Sequence, residues 1–263
     1  MLFRSRARYL RSLPEIDRIW LTTNAILLDR VGVDDVLDSG INAMNISTAG
    51  FDRAMYERVY RNGSYSRMQR NVLQLLERNA AKGNPIAVTI CLRPDCPLDE
   101  LMKDPDFQPI LALSPELDFT WSYTTANGRI KREDLPASMK IRTVPRRKKE
   151  SCVQLFNGPI VLSNGDVLAC ACVAAIDAMN DLGIGNILTE DLLSAWTGER
   201  LRQIRAGFGG GRLNATCEGC DMYRDLELYR TSEGRTRARL NLARRRGEIV
   251  RRQPIAVMPF SGG

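Results

Sequence analysis

Five of the chain's seven cysteines, Cys152, Cys170, Cys172, Cys217 and Cys220, fall in a layout that limits what the second half can become. Cys152 is followed by twelve residues, Gly165, four residues and Cys170, and much later by Cys217-Glu-Gly-Cys220. A C-x-x-C pair presents two thiolates from one tight turn, and two single cysteines from another stretch complete a set of four. The layout therefore reads as a metal or iron–sulfur site, with Cys152, Cys170, Cys217 and Cys220 as its ligands. Without a metal, Cys217 and Cys220 would be exposed reactive thiols. If its strand continues, Cys172 points the same way as Cys170 and is the alternative to it. Spacing alone suits both a tetrathiolate zinc site and a [4Fe–4S] cluster. Cys91 lies in an apolar stretch where a buried structural thiol is the simpler reading, and Cys96 goes with it.

The chain has no histidine, which excludes Cys-His zinc fingers, Ser-His triads and imidazole acid–base chemistry within it. At 263 residues and 44% hydrophobic content it is long enough to bury one large core or two unequal ones. No run approaches the roughly 18 to 20 apolar residues of a membrane span, and the basic start MLFRSRARYLRS lacks an apolar core and cleavage site. A cytoplasmic protein with reduced thiols is the expectation. The net charge of +7 is concentrated between residues 228 and 252, where nine arginines face Glu233 and Glu248 and leave the remaining body neutral. This basic tail reads either as an arm for nucleic acid, membrane or an acidic partner, or as a solvated helix that aids solubility.

Strand and helix candidates alternate over the first half, the pattern of parallel βα units. The strands are Arg18–Thr23, Asn42–Ser47, Ile86–Leu92 and Leu117–Tyr123. The helices are Val31–Ser39, closed by Gly40, then Asp52–Tyr60 and Ser66–Ala81. In the last helix Met68, Val72, Leu75 and Leu76 form one apolar stripe. Four parallel strands with outer helices make half a barrel. Residues 124–150 lose any apolar period and carry Arg146-Arg147-Lys148-Lys149. Beyond them, Gly158–Leu162 and Asp166–Leu168 flank Asn164-Gly165, a hairpin signal. A strand near Gly185–Ile187 and helices at Asp191–Trp196 and Glu199–Ala206 lead to the C-x-x-C. The organisation expected is 1–145, 146–227 and a basic tail over 228–263.

The stretches Thr22–Asp29, Leu37–Asp52 and Tyr56–Tyr65 resemble the middle of a radical SAM (S-adenosylmethionine) barrel. Cys152, Gly165-x4-Cys170, Leu182-Gly-Ile-Gly-Asn-Ile187, Ala195-Trp196 and Cys217-x2-Cys220 resemble the SPASM domain that follows such barrels. The resemblance implies an α/β fold: a partial (β/α) barrel lacking its first strands, then a small Cys-rich α+β domain. It implies one auxiliary [4Fe–4S] cluster on Cys152, Cys170, Cys217 and Cys220, with an electron-transfer or structural role. It also matches Ser47 and Arg61 to contacts with the SAM carboxylate, and Thr23 and Asn24 to polar residues at a strand mouth. The family's C-x3-C-x2-C and Gly-Gly-Glu motifs are not in this chain, Cys91-x4-Cys96 has the wrong spacing, and Ala49 stands where an Asp is common. A missing N-terminal half or a partner chain covering the open sheet edge is therefore expected. The alternative is a stand-alone iron–sulfur or tetrathiolate zinc module that binds a partner.

Overall fold

A computed structural model describes residues 2–60, 63–135, 138–170 and 179–227. Arg61, Cys172 and the basic tail lie outside the described residues. The chain divides into two compact units: one runs to Trp121 and takes in Met139, and the other comprises Ser122–Leu135 and the chain from Lys140 onward.

The first unit is α/β. After α1 (Leu2–Ser12) come β1 (Trp20–Thr23), α2 (Leu28–Val31), α3 (Val33–Leu37) and β2 (Ala43–Thr48). α4 (Arg53–Val59), α5 (Tyr65–Ala81), β3 (Ala87–Leu92), α6 (Leu98–Leu101), α7 (Gln108–Ala112) and β4 (Glu116–Phe119) complete it. The four strands pair in parallel in the order β1-β2-β3-β4, as the alternating pattern predicts. β2 and β3 are central and bury Met44, Ile46, Ile90 and Leu92. β1 is half-exposed, with Trp20 open to solvent. The anticipated stripe of α5, Met68, Val72, Leu75 and Leu76, is buried in the same core.

Polar side chains of α5 fix its position. Asn71 donates to the carbonyls of Ala25 (2.8 Å) and Ile26 (3.1 Å), holding the turn after β1. Asn79 donates to the Ile86 carbonyl (2.9 Å) and accepts from the Ile86 N–H (3.2 Å). Both backbone groups just before β3 are thereby satisfied where water is excluded. On its outer face Arg67 pairs with Asp29, Arg78 with Asp34 and Lys82 with Asp38, side chains of α2, α3 and the residue after α3. The guanidiniums of Arg67 and Arg78 hold the carboxyls of Asp29 and Asp34 below the usual carboxylate range. Such exposed pairs contribute little each.

Two expectations are corrected. The helix expected over Val31–Ser39 runs only over Val33–Leu37, because Gly32 at φ +91° separates it from α2, which precedes it. The strand over Leu117–Tyr123 ends at Phe119, and the Thr120 N–H donates to the Leu92 carbonyl beyond it (2.9 Å). Ser122–Tyr123 is instead β5, in the second unit, paired in parallel with β6 (Lys140–Ile141). The basic start is helical, and α6 and α7 carried no periodic signal long enough to read.

The second unit continues with α8 (Gln154–Asn157), β7 (Ile160–Val161), β8 (Asp166–Leu168), α9 (Met179–Leu182) and β9 (Gly183–Asn186). α10 (Leu192–Thr197), α11 (Glu199–Gly209) and α12 (Ala215–Glu218) follow. β7 and β8 form the anticipated hairpin, and β9 adds antiparallel to β8. Gly165 makes the turn at φ +88°, where a Cβ would also meet the Asn186 side chain at 2.7 Å. Among the described residues, no helix is long and apolar enough to cross a membrane.

Replacing Asn79 by Ala should lower the unfolding free energy by about 1–3 kcal/mol, since it strands a buried N–H and C=O together. Arg78→Ala, which removes an exposed ion pair, should cost no more than about 1 kcal/mol. Urea unfolding followed by circular dichroism measures both, and equal losses would contradict this account of α5.

Candidate metal centre

Cys152, Cys170, Cys217 and Cys220 line one cavity of about 30 Å³ in the second unit, walled otherwise by Leu155, Leu182, Phe208, Thr216 and Tyr223. Each thiol arrives on a differently fixed piece of backbone. Cys152 bridges antiparallel to Asp225, with the Val153 N–H donating to the Arg224 carbonyl (2.8 Å) and the Leu226 N–H to the Ser151 carbonyl (2.9 Å). Cys170 follows β8, where the Ala169 N–H donates to the Leu182 carbonyl (2.9 Å). Cys217 lies in α12, whose N-cap Asn214 accepts from the Cys217 N–H itself (2.8 Å). The same short helix is tied to α9 by Thr216, whose N–H and hydroxyl both donate to Asp181 (2.9 and 2.7 Å).

The Cys220 sulfur accepts from the Met222 N–H at 3.3 Å. Next to it, the buried Asp221 accepts from the Thr124 hydroxyl and the Thr125 N–H, each at 2.7 Å. Those two bonds draw the 124–125 segment into this unit. Lys148 is the buried member of the run Arg146-Arg147-Lys148-Lys149, whose other three side chains are exposed. Its ammonium donates to the carbonyls of Cys217 (2.6 Å) and Glu218 (2.7 Å), closing the C-x-x-C turn from below.

Cys152 and Cys170 are buried, whereas Cys217 and Cys220 are half-buried. Burial pushes the Cys152 thiol up, and it pushes Cys217 up to about 12, reinforced by Cys220, Cys170 and Cys152. At least two of the four gathered thiols, Cys152 and Cys217, therefore resist ionising, and a cation that takes them as thiolates must displace their protons. Burial also pulls the Lys148 ammonium down, opposed by Cys220, Cys217, Cys152 and Asp221. The donor set is all sulfur, its outer partners are backbone amides and a lysine, and the arrangement fits a thiolate-held metal group. Among the described residues, no three Cys, Asp or Glu side chains close upon a point that would hold one metal ion directly. The thiols ring the cavity.

The other anticipated residues belong to the first unit. Thr23 ends β1 and Ser47 lies near the end of β2, one register step apart at the carboxyl ends of the strands. Ser47 accepts from Arg93 (2.6 Å), a neighbour that no motif singles out. Thr23 and Asn24 accept from the N–H groups of Ala25 (3.1 Å) and Ile26 (3.2 Å), shaping the turn after β1. Cys91 faces Ser47 across the β2–β3 register, its thiol pushed up to about 11 by burial, and Cys96 packs at the edge of the core. These two do not join the four-thiol site.

A family model described as SPASM, iron-sulfur cluster-binding domain, matches residues 152–221, a span that begins at Cys152 and takes in all four lining thiols. The matched span is 70 of the chain's 263 residues. That span is similar to domains that bind iron–sulfur clusters, and it coincides with the cavity-bearing part of the second unit. No curated protein matches the chain.

Lys148, Asp181, Asn214 and Asp221 were missed as supporting residues. Of these, only Asn214 carried a readable signal, an Asx three residues before the helix-borne cysteine it caps. Asn214→Ala should cost about 1 kcal/mol of stability and weaken metal retention, whereas Asn214→Asp, which preserves the capping oxygen, should restore stability. Thermal unfolding and metal retention against a chelator, compared across the two variants, test this.

Proposed function

We propose that this chain holds one auxiliary [4Fe–4S] cluster on Cys152, Cys170, Cys217 and Cys220. The observation that carries the reading is the ring of four thiols around a common cavity. Zinc bonds sulfur at about 2.3 Å and draws four ligands to one point, whereas a multi-iron cluster spreads its thiolates around a volume. When bound, such a cluster supplies one-electron transfer. The chain's residues bind it through four thiolates, screen it from water with Leu155, Leu182 and Phe208, and direct the Met222 N–H at a ligand sulfur. With all four ligand positions filled by protein, the site favours electron transfer or a structural role over direct binding of substrate.

In the same reading, the first unit is part of a radical SAM barrel, and the intact protein cleaves S-adenosylmethionine and modifies a substrate by radical chemistry. The parallel β1-β2-β3-β4 sheet supports this, as do Thr23, Asn24 and Ser47 at its carboxyl end, where α/β sheets take ligands. Arg93, donating to Ser47, supplies a positive charge suited to a carboxylate. The C-x3-C-x2-C that would hold the SAM-cleaving cluster is not among this chain's residues, so the contribution assigned here is the supporting cluster. Among the described residues the six cysteines form no disulfide, which suits the reducing cytoplasm, where we place the protein.

Anaerobic reconstitution should yield about four irons and about four sulfides per chain, with broad visible absorbance that reduction bleaches. Cys152→Ser, Cys217→Ser and Cys220→Ser should each lower that iron content. Zinc in place of iron, or a wild-type fold that takes up no metal, would overturn the assignment.

A further inference from the structure

In the run Arg146-Arg147-Lys148-Lys149 one of the four side chains is treated unlike the others. Arg146, Arg147 and Lys149 are exposed, and Lys148 is buried. A lysine is seldom enclosed without partners, because its ammonium loses hydration that only strong acceptors replace. Here the acceptors are the carbonyls of Cys217 and Glu218, at 2.6 and 2.7 Å. Both lie in the last turn of α12, where the Cys217 carbonyl also accepts from the Cys220 N–H at 3.4 Å, so the ammonium joins the hydrogen bonding that closes the C-x-x-C turn. The charge thus sits under the turn that presents two of the four thiols, close enough to interact with Cys220, Cys217 and Cys152.

Two consequences follow from that placement. A cluster with four thiolate ligands carries net negative charge, and adding an electron increases it. A fixed cation in a low-dielectric surrounding stabilises the reduced form more than the oxidised one. Separately, outer partners that fix a ligand's backbone raise its hold on metal, and their loss typically weakens metal affinity about 10- to 100-fold.

We propose that Lys148 is the charge-bearing positioning residue of the thiol site: its buried ammonium fixes the Cys217–Cys220 turn and raises the reduction potential of the cluster held there. The proposal rests on the iron–sulfur reading, and the experiment separates the two.

The full-length wild type, Lys148→Arg, Lys148→Gln and Lys148→Met are reconstituted anaerobically with iron and sulfide. Iron content, circular dichroism and the midpoint potential from an EPR-monitored redox titration are then measured. Arg keeps the charge and donors, Gln keeps a donor without charge, and Met keeps only bulk. Expected are a near-wild-type potential for Lys148→Arg and a shift to more negative potential for Lys148→Gln and Lys148→Met. Iron loss to a chelator should rise about tenfold or more in the neutral variants. A folded Lys148→Gln that loads no iron, while Lys148→Arg loads it, also supports the proposal.

A wild-type potential in both neutral variants at full iron content overturns it and leaves the cluster assignment standing. So does failure of Lys148→Arg to load alongside the neutral variants. If Lys148→Gln unfolds relative to wild type handled identically, the lysine belongs to the fold and the proposal falls. Zinc or no metal in the wild type defeats the iron–sulfur reading itself.

Discussion

The second unit is organised around sulfur. Its apolar core is modest, with Leu155, Val167, Leu168, Leu182, Leu201, Ile204 and Phe208 at its centre, and Cys152 and Cys170 are buried among them. Regular structure there is short, with strands of two to four residues and helices that mostly span one or two turns. Small cores of this kind seldom hold a fold by apolar burial alone and gain from a cross-link among distant segments. Four thiols arriving from three stretches of chain are placed to supply one. The surrounding polar contacts, Asn214 to Cys217, Asp181 to Thr216, Asp221 to Thr124 and Thr125, all converge on the same turn.

The first unit depends on a different device. Its sheet is conventional in pairing, and its longest helix is located by two asparagines that satisfy backbone groups at either end of the βαβ path. The apolar stripe of α5 could slide along a greasy sheet by a turn, whereas the Asn79–Ile86 pair permits one setting. Its charged outer face adds little to stability but accompanies the same setting, since Arg67, Arg78 and Lys82 each find an aspartate only in that register.

Much of this was legible in the residues because the signals were local. Alternation marked the parallel strands, Asn164-Gly165 marked the hairpin, and cysteine spacing marked the ring of thiols. What escaped were features set by distant partners. Gly32, with its positive φ, holds the start of α3 at Val33, inside the expected Val31–Ser39. Ser122 and Tyr123 continue the composition of β4 yet pair with Lys140 and Ile141, because identity does not say which strand a residue will meet. Lys148 looked like one of four solvated cations. Asp221, adjacent to a ligand cysteine, gave no hint that it would reach back to Thr124.

Cys152, Cys170 and the Cys217–Cys220 pair are separated by long stretches of sequence, and the antiparallel bridge of Cys152 to Asp225 lies later still. A growing chain therefore has no complete site until residue 225 has left the ribosome, and closing so long a loop carries an entropic cost that the intervening hairpin and helices must first offset. A group held by all four thiols therefore cannot be fully ligated before the last of these segments has been made.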